Sequence, residues 1–191
     1  MPAWAIVLIV LGAVFFLLLL WFFAAYNRLV RGRVQCRNAW KQIDVQLKRR
    51  YDLIPNLVEV VKDYMAFEKE TLEKVTQARN VALAAAGKGP AAQARAEAGL
   101  TAALQGLYAV MENYPELKAN QNVSQLMEEL TSTENKIAYA RQFYNDAVMR
   151  YNTACQVVPT NIVASVAGFQ LEEYFGLDEE APERQAPRVD L

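Results

Sequence analysis

The stretch of sequence that decides the fold of this chain reads WAIVLIVLGAVFFLLLLWFFAA, at residues 4–25. It contains no charged residue, and its 22 residues would form a helix about 33 Å long. That length matches the hydrocarbon core of a bilayer, which is roughly 30 Å thick. Trp4, Trp21 and Tyr26 lie toward the ends of the run, where aromatic side chains favour the boundary between lipid and water. The run therefore predicts a transmembrane anchor at residues 1–27.

A cleaved signal peptide is the alternative interpretation of the same run. Such a peptide carries a basic segment before a shorter apolar stretch, and small residues follow at the cleavage site. Here no basic side chain precedes the run, the run is longer than usual, and Ala24-Ala25 is a weak cleavage site. These features favour an anchor that is not removed.

Basic residues cluster directly after the apolar run. Five of them precede the first acidic residue, Asp44: Arg28, Arg31, Arg33, Arg37 and Lys41. Cytoplasmic flanks of membrane helices carry such an excess of positive charge. We therefore expect a single-pass membrane protein with its N-terminus outside and its C-terminal body in the cytoplasm.

The same basic cluster could also contact lipid directly. One interpretation is a topology signal on a solvated helix face, and the alternative is a patch that binds anionic headgroups. The residues close enough for lipid contact are Arg28, Arg31, Arg33 and Arg37. Lys48, Arg49 and Arg50 lie beyond a Debye length of about 8–10 Å on an upright helix. We expect these three to meet acidic groups within the protein or on a partner.

The composition excludes most catalytic chemistry. The 191 residues include 20 Lys+Arg, 21 Asp+Glu, no histidine and only two cysteines, Cys36 and Cys155. Without histidine the chain cannot form Ser-His or Cys-His pairs, or any zinc or di-iron site that contains histidine. The near-neutral charge gives no reason to expect nucleic-acid binding. We expect no enzyme activity, no metal and no cofactor, and the two cysteines fit either free thiols or one disulfide bridge.

Clustered carboxylates leave a metal-dependent enzyme as a minor alternative. The clusters are Glu128-Glu129, Glu172-Glu173 and Glu68, Glu70 and Glu73. Metal sites in helical bundles use inward-facing Glu together with Glu-x-x-His motifs, whereas these acids lie off the apolar stripes. A solvated helix face is the favoured interpretation.

Beyond residue 27 the apolar positions recur every three or four residues, which is typical of helices rather than strands. The first stripe has steps of three and four from Trp40 through Ile43, Leu47, Tyr51, Ile54, Leu57 and Val61 to Tyr64, with Val34 before it and Leu72, Val75 and Ala78 after it. The later stripes comprise Leu100, Leu104 and Leu107, and then Leu126, Leu130, Ile137, Ala140, Tyr144, Val148, Tyr151 and Cys155. Pro55 interrupts it, and a kink is favoured over a helix that restarts with Asp52 as its cap. Further helices are predicted at 91–112 and from residue 123, after an Asn122 cap, to 156, with a short amphipathic piece at 161–174.

The breaks between these stripes define the predicted fold. Gly87-Lys88-Gly89-Pro90 and Asn113-Tyr114-Pro115 separate the helices. The prediction is all-α, with an N-terminal transmembrane helix followed by an elongated antiparallel helical bundle of three long helices plus a short C-terminal helix. The bundle domain is predicted at 28–177, and the acidic tail at 178–191 is predicted to be disordered.

A pair of polar residues repeats on the last long helix. Tyr144-Asn145 and Tyr151-Asn152 are seven residues apart, which places like residues on one helix face. Buried asparagine can fix helix register, and a tyrosine hydroxyl can reach a hydrogen-bond partner. The four residues are therefore predicted to specify the core, and a groove for a ligand or partner is the alternative.

Three blocks of sequence resemble the LemA family of bacterial membrane proteins. They are AW at 39–40 with IDVQLKRRYDLIPNLV at 43–58, NYPELKAN at 113–120, and TENKIAYARQFYND at 133–146 with Tyr151-Asn152 and Gly168-Phe169. The resemblance implies a single-pass helical bundle anchored in the bacterial cell (inner) membrane, with its body in the cytoplasm and no catalytic residue. One branch of the family is associated with magnetosome membranes and others are linked to envelope stress. Phe67 and Val158 depart from the family, which usually has His and Phe there.

The combined expectation is a non-enzymatic scaffold or adaptor of the cell membrane. It would act through helix-surface contacts, including coiled-coil packing, with other membrane proteins or in a homo-oligomer, besides the lipid bilayer itself. The alternative is anionic-lipid sensing or membrane remodelling through the basic juxtamembrane helix.

Overall fold

The structure is a computed structural model that describes residues 2–65 and 68–176. Its regular structure within these ranges is entirely helical, and the helices follow in the order α1 (Ala3–Lys62), α2 (Lys69–Ala85), α3 (Pro90–Met111), α4 (Pro115–Ala119), α5 (Gln121–Gln156) and α6 (Thr160–Val166). The predicted all-α class, with a long apolar N-terminal helix followed by further helices, is confirmed.

Several predicted helix boundaries are wrong. The first stripe does not form one helix to Ala78, because α1 ends at Lys62, where the Val61 carbonyl accepts from the amides of Tyr64 and Met65. The chain turns there, so Tyr64 is exposed while Met65 is buried. Val34, at the other end of the stripe, is also exposed.

The helix runs through Pro55 without a break, so a restart capped by Asp52 is wrong. Proline cannot donate a hydrogen bond to the carbonyl four residues earlier, which here belongs to Tyr51. Nε of Arg79 donates to that carbonyl instead, at 2.7 Å. A side chain from α2 thus satisfies the acceptor that the proline leaves open.

Helix α5 begins at Gln121, two residues before the predicted start, because Asn120 rather than Asn122 caps it. Oδ1 of Asn120 accepts from the backbone N–H groups of Asn122 and Val123, at 2.9 and 3.3 Å. This satisfies two of the donors that a helix N-terminus leaves unpaired. The single-turn helix α4 at Pro115–Ala119 replaces part of the predicted turn.

The predicted helix at 161–174 is wrong beyond Val166. Gly168 has φ +68, and the amides of Gly168 and Phe169 donate to the carbonyls of Ser165 and Ala164. This pair of bonds is a Schellman motif, which ends a helix at a residue in the left-handed region. Residues 167–176 continue without helical structure.

Two compact units divide the described residues. The first comprises 2–39 and 146–172, and its buried side chains include Leu29, Cys36, Tyr151 and Val163. A Cβ at Gly32 would lie 3.2 Å from Cδ2 of Tyr151, so glycine allows close packing of α1 on α5 there. The predicted limits at 1–27 and 28–177 stay predictions, and Phe67 and the predicted tail at 178–191 lie outside the described residues.

The second unit comprises 40–145 and 173–176, and its core contains most of the predicted stripe residues. Those buried are Ile43, Leu47, Tyr51, Ile54, Leu57, Val61, Leu72, Val75, Leu100, Leu104, Leu107, Leu130, Ile137 and Tyr144. Helices α2 and α3 pack against each other, joined by residues 86–89, in which Gly87 and Gly89 both have positive φ. Charged residues between the stripe positions are exposed: Arg37, Lys41, Lys48, Arg49, Glu59, Lys62, Glu70 and Lys74.

Candidate functional site

The apolar run at the start of α1 is almost entirely exposed. Residues 3–24 are exposed apart from the half-buried Ala5 and Phe22, and the first buried residue is Ala25. Among the described residues, α1 is the one helix long and apolar enough to cross a membrane. A run of exposed Leu, Ile, Val and Phe side chains of this length requires an apolar environment outside the protein.

The basic residues that follow differ in their surroundings. Arg28, Arg31 and Arg37 are exposed, whereas Arg33 is half-buried. The Arg33 guanidinium lies 5.1 Å from the ring centroid of Phe169, in a cation–π contact. Three of the four predicted lipid-contact residues therefore present their charges to the surroundings, and the fourth packs against an aromatic ring.

A buried polar cluster occupies the second unit, where α1 meets α3. Nη1 of Arg50 donates to Oε2 of Glu97 at 3.1 Å, and the two side chains are only 3% and 8% exposed. Nη2 of Arg50 donates to Oγ1 of Thr101 at 2.9 Å. The Tyr51 hydroxyl donates to the other carboxylate oxygen of Glu97. The two buried charges are therefore paired with each other, and most of their hydrogen-bonding atoms have a partner. A protein core tolerates charged side chains only under this condition.

Gln93 completes this cluster, which we name the Arg50–Glu97 cluster and define as Arg50, Tyr51, Gln93, Glu97 and Thr101. Nε2 of Gln93 donates to the Tyr51 hydroxyl at 2.8 Å, and it lies 3.2 Å from both Oε1 of Glu97 and the Ala82 carbonyl. Burial, then the hydrogen bond to Glu97, raises the pKa of Tyr51 above its ordinary value of 10.0. Tyr51 is therefore a neutral donor that holds Glu97 in place.

Two of the three basic residues at 48–50 lie beside acidic groups. Arg50 pairs with Glu97, and Arg49 lies 3.5 Å from Glu129 in a more exposed pair. Lys48 is exposed. Glu97 and Gln93 were missed by the sequence analysis. Both lie in phase with Leu100, Leu104 and Leu107 at steps of three and four, and that signal could have identified them as buried.

The repeated Tyr-Asn pairs bind the segment that follows α6. In the first unit, Asn152 exchanges two hydrogen bonds of 2.9 Å with the backbone of Glu172, and the Tyr151 hydroxyl donates to the Gln170 carbonyl at 2.8 Å. The same arrangement recurs in the second unit. There Asn145 exchanges two bonds with the backbone of Phe175, and Tyr144 donates to the Glu173 carbonyl.

The two asparagines bind the C-terminal segment in the same way. Each uses both its amide donor and its carbonyl acceptor on one backbone residue, as a neighbouring strand would. The four residues of the two pairs therefore hold the chain's own segment at residues 170–175.

The cysteines and carboxylates offer little chemistry. Cys36 and Cys155 are both free and buried. Burial raises the pKa of Cys36 to about 11, and burial also raises that of Cys155. Within 2–65 and 68–176, no three cysteine or carboxylate side chains form a group that could hold a metal ion.

Across residues 2–65 and 68–176 these features define an all-helical protein with one candidate membrane helix and, in its second unit, a buried ion pair. The chain belongs to the LemA family, whose sequence profile matches residues 39–191. The resemblance noted from the sequence blocks is confirmed. The family membership and the apolar run of α1 both favour membrane association.

The individual relatives share only about a quarter of their residues with this chain. The chain is 27% identical to Magnetosome protein MamQ 2 of Paramagnetospirillum magneticum over 188 residues, covering 86% of this chain and 68% of the relative. It is 25% identical to Magnetosome protein MamQ of Magnetospirillum gryphiswaldense over 174 residues, covering 78% and 64%. It is 28% identical to Protein LemA of Metamycoplasma hominis over 163 residues, covering 82% and 74%. The chain therefore spans about two thirds of the length of the magnetosome relatives.

Proposed function

We propose that this protein is a non-enzymatic scaffold or adaptor anchored in the bacterial inner membrane by α1. The observation that carries the proposal is the exposed apolar run at 3–24, which continues as the same helix into a packed core from Ala25 onward. An apolar run of this length is stable only when lipid or another protein covers it. Two relatives named as magnetosome proteins support a role in assembling membrane-bound structures.

The proposed topology places the N-terminus outside and the body in the cytoplasm. It is supported by the five basic residues between the apolar run and Asp44. Protease added to intact cells should leave a C-terminal tag intact and should digest it only after the cells are lysed. Digestion of the tag in intact cells would contradict this topology, and a soluble product cleaved near Ala25 would show a signal peptide instead.

The surface best suited to a partner is an open groove on α2 and α3. It has a volume of about 600 Å³, and its lining includes many small residues: Ala78, Ala96, Gly99, Ala102, Ala103 and Gly106. Small residues let another helix approach closely, and the neighbouring Val81 is exposed. A helix of a membrane partner, or of a second copy, is the proposed occupant.

Crosslinking in native membranes tests the scaffold role. The unaltered chain should give a discrete oligomer or a reproducible crosslinked partner. Gly99→Leu with Gly106→Leu fills the groove, and a Cβ at either position meets no atom within 4 Å, so the fold should persist while crosslinking falls several-fold. Tyr139→Ala, an exposed change on α5, is the matched control. A chain that stays monomeric and unpartnered would contradict the proposal.

A second candidate function is recognition of anionic lipid through the basic juxtamembrane helix. Its support is the exposure of Arg28, Arg31 and Arg37, each contributing about 1 kcal/mol near a charged membrane surface. The three residues would be replaced with Gln, while Lys41 remains for topology. In nanodiscs, this replacement should weaken the fluorescence energy transfer from the protein's tryptophans to a labelled phosphatidylglycerol, because fewer of these lipids would bind beside α1. Arg33→Gln is the control, because Arg33 contacts Phe169. Equal transfer in all variants would dismiss this function.

A further inference from the structure

We propose that α6 and the turn before it, residues 157–166, form a second membrane contact. This segment would enter the lipid–water interface of the leaflet in which α1 leaves the bilayer. The inference rests on the proposed anchoring of α1 and adds to it a site that lies outside the apolar run. It concerns lipid acyl chains and the glycerol region rather than charged headgroups.

The first observation is an apolar surface in an uncharged part of the chain. No charged residue occurs from Tyr151 to Leu171, a stretch of 21 residues between Arg150 and Glu172. Val158 and Val166 are 78% and 74% exposed, and Val157 and Ile162 are exposed as well. The other side of α6 is buried, through Thr160, Val163 and Ala164. The protein core covers the buried side of α6, so its exposed apolar side chains need another apolar surface to cover them.

The second observation is continuity with the end of the apolar run of α1. The rings of Tyr26 and Phe169 are in edge contact, with centroids 5.6 Å apart. Tyr26 directly follows Ala25, the last residue of that run, and Ala25 is itself buried. The Schellman motif at Gly168 turns the chain so that Phe169 reaches Tyr26. The segment after α6 therefore lies where α1 emerges from the proposed membrane span.

The third observation is that the Thr160 side chain supplies a hydrogen bond to two backbone carbonyls at this turn. Oγ1 of Thr160 donates to the carbonyls of Ala154 and Val157, at 2.6 and 3.0 Å. The exposed side chains of residues 157–166 are all apolar apart from Ser165. Helix α6 has seven residues and a length of about 10 Å, so it can lie in the interface but cannot cross a bilayer.

Depth-dependent quenching of a fluorescent label tests this contact in the full chain. Val158→Cys, Ile162→Cys and Val166→Cys would each be labelled with an environment-sensitive maleimide and reconstituted into phosphatidylcholine–phosphatidylglycerol vesicles containing bromine-labelled acyl chains. The native Cys36 and Cys155 are buried, so the unaltered chain serves as the labelling control. Leu18→Cys reports on the apolar run, and Met149→Cys is an exposed position on α5 within the same unit.

We expect the three labels to be quenched several-fold more than the Met149→Cys label and nearly as strongly as Leu18→Cys. If Leu18→Cys is quenched while the three labels match Met149→Cys, the second contact is overturned and the anchor stands. If Leu18→Cys is not quenched either, the anchoring fails and this inference fails with it. A blue-shifted emission without lipid quenching would show a protein partner or a second copy on this surface, and would also overturn the proposal.

Discussion

Nε of Arg79 donates to the backbone carbonyl of Tyr51 at 2.7 Å, which is the acceptor that Pro55 leaves without its helical donor. A proline inside a helix removes one backbone bond, and the carbonyl four residues earlier must find another partner if it is shielded from water. Here a guanidinium from α2 supplies that partner. The arrangement links the persistence of α1 through Pro55 to the docking of α2.

This link predicts an energetic coupling between Arg79 and Pro55. Arg79→Ala should lower the free energy of unfolding by about 2 kcal/mol, because it removes a charged hydrogen bond to a carbonyl. In a Pro55→Ala background the residue-55 amide can reach the carbonyl, so the same change should cost less than about 1 kcal/mol. Denaturant unfolding in detergent, followed by tryptophan fluorescence, measures both. Equal losses in the two backgrounds would show that the carbonyl is not what Arg79 stabilises.

The buried ion pair of Arg50 and Glu97 predicts a large loss of stability when one partner is removed. Glu97→Ala should lower the free energy of unfolding by about 3–5 kcal/mol, because it leaves the buried guanidinium with only the exposed carboxylate of Glu134, 3.9 Å away. Glu129→Ala, which removes the exposed partner of Arg49, should cost less than about 1 kcal/mol. Both values come from the same denaturation experiment. A similar small loss for both variants would mean that water reaches Arg50.

The asparagine bonds to the C-terminal segment predict local rather than global loosening. Asn152→Ala removes two bonds to Glu172, and Asn145→Ala removes two bonds to Phe175. Each should accelerate hydrogen exchange at its own partner amide by roughly tenfold, which corresponds to about 1.4 kcal/mol of local stability. Mass-spectrometric exchange of the full chain measures this effect. Asn135→Ala, at an exposed position of α5, should leave both amides unchanged.

Replacing either of two glycines with alanine should change the stability of the protein in opposite directions. A Cβ at Gly106 or at Gly168 would meet no atom within 4 Å, so neither substitution creates a steric clash. The two substitutions therefore differ only in the backbone conformation at the glycine. Gly106 lies inside α3, where alanine should raise the free energy of unfolding by about 0.5–1 kcal/mol. Gly168 has φ +68, where alanine should cost about 1–2 kcal/mol. Thermal unfolding of the two variants should shift in opposite directions, and a shared direction would contradict this account.

The raised pKa of Cys36 predicts a loss of stability in alkali. The pKa rises from the ordinary 9.0 to about 11, chiefly through burial and secondarily through the charge of Glu172. Above pH 9 the unfolded state releases the thiol proton while the folded state retains it, so stability is full below pH 9 and falls toward pH 11. Cys36→Ala should flatten this dependence. Unfolding midpoints measured across that range test the slope, to which Cys155, Tyr51, Tyr108 and Tyr151 also contribute because burial raises the pKa of each.

The sequence predicted much of the fold because its signals are local. The apolar run of 4–25 and the steps of three and four beyond it depend only on helix geometry, and the stripe residues from Ile43 to Val61 are buried as expected. The helix ends were less predictable. Asn120 and Asn122 are equally suitable caps by residue type, and only the surrounding structure selects Asn120.

The candidate site was harder to predict than the fold. In the sequence, Arg50 is one of three consecutive basic residues at 48–50. It can be buried because Glu97 on α3, 47 residues away, forms a hydrogen-bonded ion pair with it. Gln93 and Glu97 occur in an alanine-rich helix whose larger apolar residues include Leu100, Leu104 and Leu107. A charged residue in phase with an apolar stripe is ambiguous until its partner is placed, since a buried charge is stable only when paired.

What the amino-acid sequence determined by itself is the helical class, the apolar run suited to a bilayer and the membership in one family, because hydropathy and periodicity act between near neighbours along the chain. Tertiary structure alone decided three further things. They are the pairing of Arg50 with Glu97, the binding of the repeated Tyr-Asn pairs to residues 170–175, and the exposure of α6 beside Tyr26. These depend on which distant surfaces meet, and that is set by the packing of whole helices rather than by any local pattern.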